Sequence, residues 1–497
     1  MGRACWAVLA VLALVAGACS GGDDDDDRAS PSRATTSTTS TTAAAETTTT
    51  APAPTTTTSL AAVVAPVRPA PGQPAISSPP ASVACPAVPA RRAPRADRPA
   101  YDWSLQVDLP AGAVTGRGTL AFTPDADTDR VVLRLWANSP RITRAGGRIE
   151  AAVDGETPFE QPDATTLVLK VPVKAGERFQ TGLTFRLTLP TSPSNDRVYR
   201  SGDAVRLGSF LPILAWEPGM GWATDPPTSG FAEASTSVPA DFTVTVAGLP
   251  DGVTALATGV AVPDRPDTYA ASGVPDWAMS TGRFTSESRE VAGVRVTVGV
   301  DSQVREGPRG YLDRVAQAIQ RFSSMYGPYP WPSYTLAITP ALGGGIEYPM
   351  HVMQGPGTIG RTTSHEVAHM WFYGLVASNQ GRDPWIDEGL ATWAEGRFEG
   401  TTAALMARDI PAAGQGRAGE PMTFWETRQS AYYRSVYVQG AQAIGALGPA
   451  DAVDCALRHL VATQAYEVAD SREVAAALAT VFPNARDVLA RFGIRSA

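Results

Sequence analysis

His365-Glu366-Val367-Ala368-His369 holds two of the four histidines in this chain. Residues four apart share one face of a helix, so both imidazoles can bind the same metal ion. Glu388 follows after eighteen intervening residues, and a carboxylate on a later helix can supply the third ligand. Glu366 is offset from both histidines and can reach a water at the metal without binding the ion itself. Two imidazoles, a carboxylate and a free acid are the minimum equipment for zinc-assisted hydrolysis of an amide, and one Zn2+ per chain is expected. The same letters can also form nothing more than a polar helix turn. Here Met370, Trp371 and Phe372 follow at once, and burial of unpaired carboxylates beside them would be costly; a cation removes that conflict.

The ligands need two helices to hold them. Thr362, Thr363 and Ser364 offer N-cap oxygens for the first, and Gly374 suits its end. Trp385 to Glu395 carries an apolar face and reads as the second. Asp383 either orients a metal ligand from behind or caps that second helix. His351 and His459 have no evident partner and read as packing or surface residues.

Upstream, Tyr101, Trp103, Leu105, Val107 and Leu109 alternate with polar or small residues, the period of a half-buried strand. The alternation returns at Leu167-Leu169-Val171-Val173, Phe242-Val244-Val246 and Val294-Val296-Val298-Val300, separated by turn-forming residues. An antiparallel β domain over about 99–302 is expected. Within it, Leu211 to Glu217 either lines a cleft or packs between domains. Gly307 to Tyr326 changes to helical period, with Tyr311, Val315, Ala318, Ile319 and Phe322 on one face. Tyr334 to Thr339 reads as a strand whose edge could pair with an extended peptide. A glycine loop, Gly343 to Gly345, follows it. Beyond Thr362 the pattern is mostly helical, including Ala441 to Leu447, Asp451 to Thr463 and Ser471 to Val481.

With these residues in view, His365 to Val376 resembles the zinc helix of the aminopeptidase N family of gluzincins, and Asp383 to Ala391 resembles its third-ligand helix. The resemblance implies zinc on His365, His369 and Glu388, with Glu366 as general base. Gly343-Gly344-Gly345-Ile346-Glu347-Tyr348-Pro349 resembles the family's G-x-M-E-N exopeptidase loop, with Ile346 in place of Met and Tyr348 in place of Asn. It implies that Glu347 grips the substrate's free α-amino group and that Gly344 and Gly345 let the substrate approach. Tyr437-Val438-Gln439-Gly440-Ala441 resembles the Y-x-K-G segment, with Gln439 for Lys. It implies that Tyr437 donates a hydrogen bond to the oxyanion; Tyr432 and Tyr433 compete for that role. The fold implied is α+β and multidomain: a β-saddle-like, antiparallel β-rich N-terminal domain, then a thermolysin-like, mostly helical zinc peptidase domain over 303–497. The large C-terminal helical domain of full-length family members is absent from this expectation. The activity implied is release of N-terminal amino acids from peptides. An endopeptidase that accepts internal bonds, and a surface lipoprotein with an idle metal site, are the competing readings.

Arg3 and the apolar run Ala4 to Ala18 read as a signal peptide, 1–18. The small residues before Cys19 resemble a bacterial lipobox, so Cys19 is expected to carry lipid and anchor the protein to the outer side of the cell membrane; ordinary secretion with cleavage elsewhere is the alternative. Residues 19–98 are rich in Asp, Thr, Ser, Pro and Ala and cannot bury enough apolar area to offset chain entropy. A disordered tether is expected there. Of the remaining cysteines, Cys85 and Cys455 either form one disulfide, which an extracytoplasmic compartment permits, or stay as two thiols. Net charge is −8, and Asp23 to Asp27 contribute five of the negatives. The chain has no basic patch, so nucleic acid is not an expected partner. A peptide substrate is, and no obligate protein partner is inferred.

Overall fold

The computed structural model describes residues 85–193, 197–229 and 237–496. The signal peptide, Cys19 and most of the tether lie outside the described residues.

The first half is built from β-sheets. Ala100–Asp108 alternates buried and exposed residues along its length, turning Tyr101, Trp103, Leu105 and Val107 inward. It is the central strand of a seven-stranded sheet, paired antiparallel with Ala113–Phe122 on one side. On its other side it runs parallel to Ala240–Ala247, where Tyr101 stacks on Phe242 with ring centroids 4.5 Å apart. The sheet is therefore mixed at its centre rather than purely antiparallel. Leu167 and Leu169 belong instead to a separate four-stranded sheet, beside Val131–Arg134.

The expected boundary at 302 does not hold. Phe284–Val291 and Val294–Asp301 form two strands of a five-stranded sheet with Ser333–Ile338, His351–Gln354 and Gly345–Tyr348. Val294–Asp301 pairs parallel with Ser333–Ile338, and a parallel neighbour needs a crossover. The Pro308–Tyr326 helix supplies it, with all five residues of its expected apolar face buried. The last β segment of the first half is thus covalently and physically part of the sheet that carries Glu347. In this sheet Ser333–Ile338 is an interior strand, flanked on both sides. The outer strands are Phe284–Val291 and Gly345–Tyr348, which corrects the expectation that Tyr334 to Thr339 offers its edge to a peptide.

Residues 85–98 are not an open tether either. Cys85 is joined to Cys455, with Cα atoms 5.8 Å apart. The Arg92 N–H donates to the Ala462 carbonyl at 3.0 Å, and Arg92 pairs with Glu467 at 2.9 Å. Arg91 donates to the Pro328 carbonyl, and Arg98 pairs with Asp241 at 2.7 Å. This stretch has Val88 as its one large aliphatic residue, but its arginines and cysteine give it specific partners on both the helical and the β-rich halves.

The helices after 360 pack as a cluster around Arg361–Ala368 and Pro384–Glu399. The first begins after Gly360, so Thr362 to Ser364 lie inside it rather than capping it. It ends at His369, and the Gly374 N–H turns back to the His369 carbonyl at 2.8 Å. Gly400, in the left-handed conformation, closes the second.

Candidate metal centre

One turn of the Arg361–Ala368 helix sets His365 and His369 side by side, with ring centroids 4.7 Å apart. The Pro384–Glu399 helix brings Glu388 against both. Its Oε2 lies 3.2 Å from His365 Nε2 and 3.5 Å from His369 Nε2. Two ligands at zinc–nitrogen or zinc–oxygen distances on a tetrahedral ion stand about 3.4 Å apart. The three side chains therefore fit zinc. All are buried, and their ligand atoms fall within 4.8 Å of one another.

The outer nitrogens of both rings are held by carboxylates that sequence reading did not single out. His369 Nδ1 lies 2.6 Å from Asp387 Oδ1, whose other oxygen accepts from Gln380 Nε2 at 2.5 Å. His365 Nδ1 lies 3.3 Å from Glu395 Oε2, and Arg361 Nε donates to Glu395 Oε1 at 2.6 Å. A carboxylate at Nδ1 fixes the tautomer with the proton there and frees Nε2 for a metal. The signal for Glu395 was available: it stands seven residues, two turns, after Glu388 and so on the same face. Asp387 adjoins the ligand. Asp383, the residue weighed for this role, accepts instead from Ser471 Oγ and makes no cap hydrogen bond.

Glu366 lies on the same helix, offset from the ligands as expected. Its Oε2 is buried with no hydrogen-bond partner among the described residues. A strand edge runs beside it: a β-carbon added to Gly345 would sit 2.4 Å from Glu366 Oε1. Only glycine lets the Gly345–Tyr348 backbone come that close. Glu347, two residues on, is buried and shares a ligand-distance cluster with His369 and Asp387. Gly344 accepts from the Gly355 N–H at 2.9 Å, which fixes the loop entering the strand.

Tyr437 lies in a π-helical turn, Arg434–Val438, a distortion that recurs at functional sites. Its hydroxyl donates to Glu388 Oε1, and its ring stacks on His365 at 5.8 Å. Close helix packing places it there, since a β-carbon on Gly389 would come within 3.0 Å of Gly440 Cα. Tyr433 packs on the Tyr437 ring at 4.8 Å and Tyr432 lies edge-on to it. Gln439 faces away and bridges the loop at 414–416, donating to the Gly414 carbonyl at 2.8 Å and accepting from the Gly416 N–H at 2.7 Å.

Burial alone would push both imidazoles down. Hydrogen bonds to Glu388 and Glu395 instead hold His365 well above its usual value. The charges of Asp387 and Glu347 push His369 up to about 10. Burial, with Glu347 nearby, pushes Glu366 up to about 8. Burial also raises Glu388, to about 7. Five buried carboxylates around two imidazoles leave an excess of negative charge that a dication would balance.

The other histidines are structural. His351 is buried between Thr335 Oγ1 at 2.8 Å and Ser280 Oγ at 3.0 Å, and burial lowers it to about 3. His459 Nε2 lies 3.3 Å from the Pro86 carbonyl. Leu211 to Glu217 packs between the halves: Glu217 accepts from Asn379 Nδ2 at 2.6 Å and from Arg382 Nη1 at 2.8 Å.

No family model matches the chain. Among curated proteins it is 25% identical to leukotriene A-4 hydrolase of Xenopus laevis over 149 residues, 28% of this chain and 24% of that protein. It is 24% identical to aminopeptidase B of Rattus norvegicus over 259 residues, 47% of this chain and 37% of that protein. The chain thus spans only about a quarter to a third of the length of these relatives. Among solved structures it resembles an M1 zinc metallopeptidase from Deinococcus radiodurans, with a TM-score of 0.57 at 21% identity over 80% of this chain and 94% of that one. A mutant of that protein bound to a Tyr-ser-ala substrate gives a TM-score of 0.60 over the same shares. The chain has the multidomain fold of the M1 zinc metallopeptidases.

Proposed function

We propose that this chain is a zinc-dependent peptidase of the aminopeptidase N type, releasing N-terminal amino acids from peptides. The observation that carries the reading is the convergence of His365 Nε2, His369 Nε2 and Glu388 Oε2 at zinc-ligand spacing beside the unpartnered Glu366 Oε2. The M1 fold and the names of the solved neighbours, some bound to peptide or amino acid, support it. The five-stranded sheet and its helices would form the thermolysin-like domain, and the β-rich half would wall the cleft.

His365, His369 and Glu388 would hold the ion, and Asp387 and Glu395 would orient the two rings. A zinc ion there supplies Lewis acidity, polarising a carbonyl and lowering the pKa of water toward about 7. Glu366 takes the proton of the attacking water on its free oxygen and delivers it to the leaving amine. Glu347 holds the substrate ammonium, which fixes the bond that is cut. The peptide lies along the open edge of Gly345–Tyr348 as an added strand. The Tyr437 hydroxyl exchanges its carboxylate acceptor for the developing oxyanion.

An endopeptidase reading has one observation in its favour. Tyr348, where the exopeptidase loop has Asn, turns to Arg197 Nη1 at 3.0 Å and Ser209 Oγ at 3.3 Å. Parallel assays of a peptide with a free N-terminus and its acetylated twin separate the two. Cleavage of the free peptide alone, abolished by a chelator, is expected; equal cleavage of both removes the ammonium-binding role of Glu347. We further place the protein outside the cell on a lipid carried by Cys19, a reading supported by the apolar run before it and by the Cys85–Cys455 bond.

A further inference from the structure

Two elements flank Glu366: the Arg361–Ala368 helix that carries it and the Gly345–Tyr348 strand. Both are open at their first residues and closed at their last. In the helix only Arg361 and Thr362 reach solvent, and in the strand only Gly345 does. The Arg361 side chain is 43% exposed. At the far end Glu347, His369 and Asp387 are all buried.

Arg361 stands one turn before His365, on the same helix face. Its Nε donates to Glu395 Oε1 at 2.6 Å, and Glu395 Oε2 lies 3.3 Å from His365 Nδ1. Tyr433 also hydrogen-bonds the guanidinium, and the Tyr433 ring lies 4.8 Å from that of Tyr437. The cation is thus fastened to the metal centre from two sides while its side chain stays on the open rim. A guanidinium carries five N–H donors. Glu395 and Tyr433 occupy two of them, and those that remain form the planar fork that suits a carboxylate. Arg314, which reaches the Gly360 carbonyl, is paired with Glu399 and is only 24% exposed.

The two elements also run in the same sense. Gly345 lies against Glu366, and Glu347, two residues on, gathers with His369 and Asp387. A peptide with its ammonium on Glu347 therefore passes the ligands and runs back past Gly345, toward the open end where Arg361 stands. Arg361 and His369 are eight residues apart, about 12 Å along a helix, and an extended tripeptide spans about 10 Å. We propose that Arg361 receives the C-terminal carboxylate of a tripeptide substrate, so that the leaving dipeptide is recognised by its free end. The inference rests on the aminopeptidase reading.

The test uses the zinc-loaded full chain with Ala-Ala-Ala and its C-terminal amide, following release of free alanine. Wild type is expected to favour the free acid by about tenfold or more in kcat/KM, through KM, the scale of one charged hydrogen-bonded pair. Arg361→Gln should bring the acid-to-amide ratio to about one. Arg361→Lys keeps a cation and should keep a ratio above one, and it serves also if the glutamine variant does not fold. If Arg361 only positions Glu395, both substrates lose rate together and the ratio stays as in wild type; that result overturns the proposal, as does a wild type that treats acid and amide alike. Calorimetric titration of the zinc-loaded Glu366→Gln form with the same two peptides reads the contact without turnover. Tighter binding of the acid, lost on adding Arg361→Gln, with no peptide cleaved by wild type, would leave the carboxylate site standing and reject the peptidase reading. Equal binding of acid and amide rejects the carboxylate site even where cleavage occurs.

Discussion

Glu366 combines three properties at one residue: it is buried, one oxygen has no partner, and its pKa is raised to about 8. A carboxylate kept this way without a task would be a liability. Glu366→Gln keeps the shape and removes the base; turnover should fall by roughly 10²–10⁴, while elemental analysis finds zinc retained. Asp387→Asn tests the support behind His369. Zinc affinity, read by competition with a chelator, should drop about 10–100-fold, whereas a purely structural role would leave affinity unchanged. At this scale the pairing of His365 with His369 was legible, because residues four apart share a face once the stretch is helical. Asp387 and Glu395 were less visible because their role depends on which ring nitrogen faces them.

Two close approaches decide the elements. Gly345 lets the Gly345–Tyr348 strand lie against Glu366, and Gly389 against Gly440 lets Tyr437 reach Glu388. Gly345→Ala would place a methyl 2.4 Å from a Glu366 oxygen. Displacing a catalytic group by about 1 Å costs on the order of 10²-fold in rate; the expected result is that loss with zinc still bound and little change in melting temperature. Retained turnover would show that Glu366 works from another position. The Pro308–Tyr326 helix was legible because its apolar face repeats with the right period. The boundary near 302 was not. Alternation says that a strand has one buried face but not which sheet buries it, and Val294 to Val300 reads the same in either.

For the whole molecule, the concentration of buried acids links stability to pH and to metal. In the metal-free protein Glu366 sits at about 8, above the usual carboxylate value, and His369 at about 10, above the usual imidazole value. The folded state then binds more protons than the unfolded one, from the unfolded carboxylate pKa up to those values. Stability must fall as pH rises through that window. Melting of chelated protein should therefore move to lower temperature between about pH 5 and 8, and saturating zinc should remove most of that slope. A metal-free protein that gains stability toward alkaline pH would contradict the charge balance of the site.

The strap at 85–98 has a mechanical consequence. Its hydrogen bonds and ion pairs reach both halves of the molecule, but the sulfur–sulfur link at Cys85 comes before all of them along the chain. Tension applied from the N-terminal side enters the 450–464 helix through a covalent bond, and the weak contacts that follow carry none of it. The two halves cannot be unzipped from that end unless the bridge is reduced first.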